Sequence, residues 1–326
     1  MISRVADHCF WFGRYLERAE STARVLHVTE SLALDADLSP SQCWLPVIIV
    51  AGEKERFFAK FGESAAGEGE IVQRYMAWDD ENFTSLKSSI AAARENARSI
   101  REVVSIEAWE TTNELYLWIN GPEAEEEYES HRYGFYLRIR RSIQLCLGLL
   151  RSTMLHDTPL DFIWLGVLLE RVGQTARVLD VHHHAFSNLP TRHQVVETAL
   201  WLSLLRACSG FEPFMKRQLG KVTGDAVASF LLLEPAFPRS IRFGVHASFE
   251  RLCSIRPPGA SSLPGGETLA RLGELDDWLH HLTPDTLGAD IHEPLTHVVD
   301  EIAAVCNGIA RELIGFAPAQ SQSQSQ

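Results

Sequence analysis

The sequence predicts an all-α protein, a helical bundle built from a tandem duplication of one helical unit. Two observations carry this. Apolar residues recur at helical spacing with no convincing strand alternation, and one 19-residue segment occurs twice.

The repeated segment is FWFGRYLERAESTARVLHV at Phe10–Val28 and IWLGVLLERVGQTARVLDV at Ile163–Val181, identical at 11 of 19 positions without gaps. Chance gives about one identity, since average usage is near 5–7% per residue type. Two weaker echoes follow in the same order. Trp44 opens WLPVIIVAGEKERFF and Trp201 opens WLSLLRACSGFEPF; ARSIR at 97–101 answers PRSIR at 238–242. Residues 1–316 are therefore expected to form one domain of two repeats, about 1–150 and 151–316, sharing a core. Residues 317–326, ending SQSQSQ, are expected to be disordered.

Taken in order, the first helix spans about Val5 to Leu34, with Val5, Cys9, Phe12, Leu16, Ala19, Ala23 and Leu26 on its apolar face and Ser3 as its N-cap. Further helices are expected at about 41–60, 69–76, 83–106, 107–119 and 123–154. The Gly-rich stretch FGESAAGEGE at 61–70 reads as a loop. The second copy opens with a helix from about Leu160 to His184, ended by Asn188–Pro190, then helices at 191–207, 211–219, 222–233, 240–254, 267–281 and 291–314. RPPGASSLPGG at 256–266 is a loop on composition.

Composition narrows the function. The chain has 326 residues, 45% hydrophobic and 22% charged, with a net charge of −13. That acidity argues against a general nucleic-acid surface, which must neutralise phosphates, and against attraction to anionic membranes. The longest apolar run, WLPVIIVAG at 44–52, falls far short of the roughly 20 residues of a spanning helix. The N-terminal stretch is charged throughout and reads as helix rather than leader, so cytoplasmic residence is expected. Six cysteines stand apart with no CxxC pair, and buried, reduced thiols are the expectation.

The chemistry-bearing candidates lie in the shared motif. On a helical wheel Gly13, Glu17 and Arg24 share a stripe, as do Gly166, Glu170 and Arg177. A glycine inside a helix costs about 1 kcal/mol relative to alanine, so its presence in both copies points to another backbone packed against it. Glu17 and Glu170 have two readings. Either they pair with arginines at the junction between the copies, or one acts as a catalytic base in a polar pocket whose arginines hold an anion. The candidate anion-binding residues are Arg14, Arg24, Arg98, Arg101, Arg239 and Arg242. In the RSIR elements a three-residue spacing would put each arginine pair on one side of a helix. The run His182–His184, with His193 nearby, is not expected to hold a metal, because consecutive imidazoles on a helix point apart. No cofactor motif is present, and without a phosphate-cradling glycine loop the chain alone is expected not to hydrolyse ATP.

FWFGRYLERAE, ARENARSIRE at 93–102, Trp109 with Asn113, WLGVLLER at 164–171 and FPRSIR at 237–242 together make the sequence similar to the bacterial alpha-E family from residue 3 to about 314. The resemblance implies a helical fold and a part in ATP-dependent amide or peptide-bond synthesis. Such domains are commonly encoded beside, or fused to, circularly permuted ATP-grasp ligases, and transglutaminase-like peptidases and the proteasome-related Anbu peptidase often accompany them. The implied role is a partner or accessory protein of the ligase, binding an anionic substrate or product. The alternatives are an enzyme using Glu17 with an arginine cluster, and a purely structural interaction module. The second copy departs from the family's GRxxERA pattern at Val167 and Gly173, which makes the first copy the better functional candidate.

Overall fold

In the computed structural model the described residues are 3–35, 38–187, 194–217, 220–287 and 291–315. They are helical, with no strand among them. The helices are α1 (Ser3–Asp35), α2 (Pro40–Val50), α3 (Lys54–Phe61), α4 (Gly69–Trp78), α5 (Leu86–Ser99), α6 (Ile106–Ile119), α7 (Pro122–Ser130) and α8 (Arg132–Thr153). There follow α9 (Thr158–Ser187), α10 (Gln194–Ala207), α11 (Phe211–Arg217), α12 (Gly224–Leu233), α13 (Ile241–Ile255), α14 (Gly266–His281), α15 (Pro284–Leu287) and α16 (His292–Gly308). A π-helical turn, Ile309–Ile314, continues α16. Among the described residues no helix is long and apolar enough to cross a membrane.

The two long helices α1 and α9 lie side by side at the centre. Their contacts advance together along both chains, from Gly13 against Ile163 to Glu17 against Arg171, so they run in the same direction. Helices α5 and α8 pack on α1, and α6 on both of those; α13 and α16 pack on α9, and α14 on both of those. The halves also exchange a helix, since α2 reaches across to α9 and α10 to α1.

Local features recur in matched places. Trp44 packs where a side chain on Gly69, the first residue of α4, would stand; Trp201 does the same at Gly224, the first residue of α12. Phe57 meets Tyr75 edge-on at 5.2 Å, and Phe214 meets Phe230 edge-on at 5.4 Å. Both phenylalanines are fully buried. Helix α2 ends in a Schellman motif, with Gly52 N–H donating to Ile49 and Glu53 N–H to Ile48. Helix α10 ends the same way through Ser209 and Gly210, and Ser209 takes the left-handed conformation at φ 54° that glycine takes in α2.

Several expected elements are corrected. The helix at 41–60 divides at the Gly52 cap into α2 and α3. The one at 123–154 divides at His131, whose backbone leaves the helical region. The helix at 83–106 shortens to α5, because the Ser85 side chain caps its start and Ser105 caps a separate α6. Ser3 is a helical residue rather than the cap. The expected loop at 61–70 contains a 3-10 turn, Glu63–Gly67, that buries Ala65 and Ala66. The RSIR elements are not equivalent. Arg98 is in the last turn of α5 and Arg101 lies beyond it, whereas Arg239 precedes the cap Ser240 and Arg242 lies inside α13. Neither pair is carried on one helix. Asn188–Pro190, His193 and the SQSQSQ tail fall outside the described residues.

Candidate functional site

The α1–α9 seam is built around two glycines. A β-carbon on Gly13 would stand 2.1 Å from the Ile163 carbonyl oxygen, and one on Gly166 would stand 2.1 Å from the Phe10 carbonyl oxygen. Only with glycine at both places do the backbones reach this approach.

One turn further along, each helix offers a glutamate to the other. Arg171 donates to Glu17 through Nε (3.0 Å to Oε1) and Nη2 (2.7 Å to Oε2). Arg18 donates to Glu170 through Nε (2.8 Å to Oε1) and Nη2 (3.2 Å to Oε2). Each Glu-Arg dipeptide therefore gives its carboxylate to the other's arginine, a reciprocal fork-to-fork clasp. Arg239 adds a second cation to Glu17 at 2.9 Å and reaches Glu20 at 2.8 Å. Its backbone carbonyl accepts from Thr175 on α9. Arg14 donates to Glu170 at 2.9 Å and lies over the Trp11 ring at 4.8 Å. Glu20 also accepts from Arg24 and from Gln144 of α8.

All three carboxylates are buried, with Glu17 and Glu20 at 0% exposure and Glu170 at 3%. Burial disfavours the charged form of Glu170, but Arg18 and Arg14 outweigh it and hold its pKa well below the usual carboxylate range. For Glu20, burial is likewise outweighed by Arg239 and Arg24, and the pKa falls to about 2. Burial depresses the Arg177 pKa, with Glu170 opposing and Arg18 and Arg14 reinforcing the effect. Position 173, which matches Glu20 in the repeat, is glycine, so Arg177 lacks the carboxylate that Arg24 has one turn back.

Of the sequence candidates, the seam brings together Glu17, Glu170, Arg14, Arg24 and Arg239. The others lie apart. Arg98 is exposed and paired with Glu95, Arg101 lies over Trp109 at 5.0 Å, and Arg242 donates to the Leu279, His280 and Leu282 carbonyls at the end of α14. Sequence reasoning puts Arg18 and Arg171 on a mixed stripe of each repeated helix without assigning them to the site, and does not count Glu20 or Gln144 among the candidates. The first two are within its reach, since they follow the shared glutamates directly in both copies. Gln144 comes from a distant helix and carries no signal.

Both oxygens of Glu17 and of Glu170 accept from guanidinium groups, which leaves little capacity to take a proton from a substrate. Two surface pockets of about 360 and 320 Å³ lie elsewhere, one against Glu127, His131 and Arg138, the other against Phe61, Tyr75 and Trp78. Four cysteines are buried and two half-buried, all free. Burial pushes Cys9 and Cys208 up to about 12 and Cys146 up to about 11, so these thiols are not poised as nucleophiles.

Fold and seam together define an all-helical protein centred on two Glu-Arg dipeptides. The chain belongs to the alpha-E family, described as a predicted alpha-helical domain with a conserved ER motif, whose profile matches residues 1–313. It is also similar to uncharacterized proteins of Mycobacterium bovis and Mycobacterium tuberculosis, 24% identical over 282 residues, or 80% of this chain. The chain spans only 31% of the length of these relatives. No solved structure matches it significantly.

Proposed function

We propose that this chain is an accessory domain of an ATP-grasp amide or peptide ligase system, and that its Glu-Arg dipeptides are the structural clasp of that domain rather than its catalytic centre. The observation that carries the accessory role is length. The mycobacterial relatives hold this domain within a chain of which it is 31%, as expected of a module that works beside another unit. The ligase itself comes from the family resemblance of the Glu-Arg segments, and a transglutaminase-like peptidase is the second expected partner. The clasp reading rests on the saturation of the buried carboxylates and on their position along a helix seam rather than in a pocket.

The domain is further proposed to be a tandem duplication. The reciprocal glycines, the crossed Glu-Arg pairs, the matched Trp44–Gly69 and Trp201–Gly224 contacts and the exchanged α2 and α10 support this. The ligase reading is tested by co-purifying the chain with a circularly permuted ATP-grasp ligase from the same organism and measuring ATP consumption with and without it. Turnover that rises only with both chains is the expected result. ATP hydrolysis by this chain alone, or a ligase indifferent to it, would sink the proposal.

A further inference from the structure

We propose that His246, Asp276 and His280 form a binding site for a divalent transition-metal ion, with Zn²⁺ the favoured occupant. The three side chains come from two adjacent helices. His246 lies on α13, and Asp276 and His280 lie one turn apart on α14. They offer one ligand atom each, and these atoms all lie within 4.8 Å of one another. His246 Nδ1 is 2.9 Å from Asp276 Oδ2, and His280 Nδ1 is 3.4 Å from Asp276 Oδ1. The imidazole rings meet edge-on with centroids 5.4 Å apart.

A second observation points to a cationic ligand. Asp276 is 6% exposed, and its Oδ1 is buried without a hydrogen-bond partner. The His280 Nδ1–H, 3.4 Å from this oxygen, is directed to the Asp276 main-chain carbonyl at 2.8 Å instead, which leaves Nε2 as the ligand nitrogen of His280. A buried carboxylate oxygen with no donor carries the desolvation cost of an unmade bond, about 1–3 kcal/mol or more for a charged group. A cation shared with two imidazoles would satisfy it.

The surrounding charges permit this. Arg242, one turn before His246, is the nearby cation, but it donates to main-chain carbonyls at the end of α14. Glu250 lies on the open side, 3.9 Å from His246 Nε2, and can add a fourth ligand. Both histidines are about half exposed (49% each), so an ion can enter from solvent without unfolding the protein. Two imidazole nitrogens with one carboxylate select Zn²⁺ and its first-row neighbours over Mg²⁺ or Ca²⁺, which want oxygen donors. A bound ion would tie α13 to α14, and three protein ligands would leave one position for Glu250 or water.

The test is Zn²⁺ calorimetry and thermal unfolding on the full chain after chelator treatment. The expected result is one saturable equivalent of Zn²⁺, a rise in Tm of a few degrees, and no rise with Mg²⁺ at the same concentration. The double variant His246→Ala with His280→Ala removes only half-exposed side chains and should fold. It should weaken Zn²⁺ binding by more than the roughly 100-fold that loss of an outer hydrogen-bonding partner costs. Absence of a saturable equivalent would overturn the proposal. So would an equivalent that survives in the double variant, which would place the ion at other histidines such as His182–His184.

Discussion

Glu20 shows how the seam depends on individual charges. It is fully buried, and Arg239, Arg24 and Gln144 together occupy both its oxygens. Its folded pKa of about 2 lies below the ordinary 4.5, and Glu170 is depressed in the same direction. A depressed carboxylate contributes stability that is complete above the unfolded pKa and is lost as pH falls through the folded one. Stability should therefore fall steadily between about pH 5 and pH 2. For Glu20 the contribution is of order 3 kcal/mol, since each tenfold change in acidity on folding corresponds to about 1.4 kcal/mol. Melting curves across this range should show a weaker acid dependence in Glu20→Gln than in the native chain, and identical slopes would refute the assignment. Gly13 makes the steric counterpart. Gly13→Ala drives a β-carbon into a main-chain carbonyl that cannot swing aside, and the cost should be about 3 kcal/mol or more. Gly148, inside α8 with nothing within 4 Å of its would-be β-carbon, is the control. Gly148→Ala should stabilise by about 0.5–1 kcal/mol, measured by denaturant midpoints.

At the scale of elements, the ends of α2 and α10 perform one task with different residues. Gly52 adopts the left-handed cap without strain, whereas Ser209 adopts it with a β-carbon, at a cost of roughly 1–2 kcal/mol. Ser209→Gly should recover part of that, about 0.5–1 kcal/mol net of the glycine's added freedom in the unfolded chain. A lower melting temperature would show that the serine hydroxyl contributes something the cap geometry does not. The same pair explains what the sequence could and could not reveal. The long helices are legible because their apolar spacing and repeated letters coincide, and the shared Gly13 and Gly166 correctly signal a close backbone approach. The divided helices escape sequence reading because a Schellman cap or a single non-helical residue such as His131 breaks a helix without breaking its apolar pattern. The RSIR echo misleads because identical letters fall at different places. The residue that plays the part of Ser240, capping the helix that packs on the central one, is Ser85. That match lies in a function, capping, rather than in a string.

Across the whole molecule, the crossed Glu-Arg pairs join the two halves where their central helices meet. Arg239, just before the cap of α13, and Gln144 from α8 extend the network into the layers outside. A buried ion pair is not by itself a large source of stability, because desolvation offsets attraction. Its effect is conditional. With one partner removed, the other charge is stranded, and the helices lose the register that the glycines permit. Glu17→Ala should therefore cost about 3–5 kcal/mol, far more than breaking an exposed pair such as Arg98 with Glu95, which solvent screens. The most direct test of the clasp is a double-mutant cycle on Glu170 and Arg18, using Glu170→Gln, Arg18→Met and the two combined, read by reversible denaturant unfolding. The expected result is that each single change is strongly destabilising and the double change costs much less than their sum, with a coupling of about 2–3 kcal/mol. Single effects that simply add, to within about 0.5 kcal/mol, would contradict the clasp and return the Glu-Arg dipeptides to the search for a catalytic role.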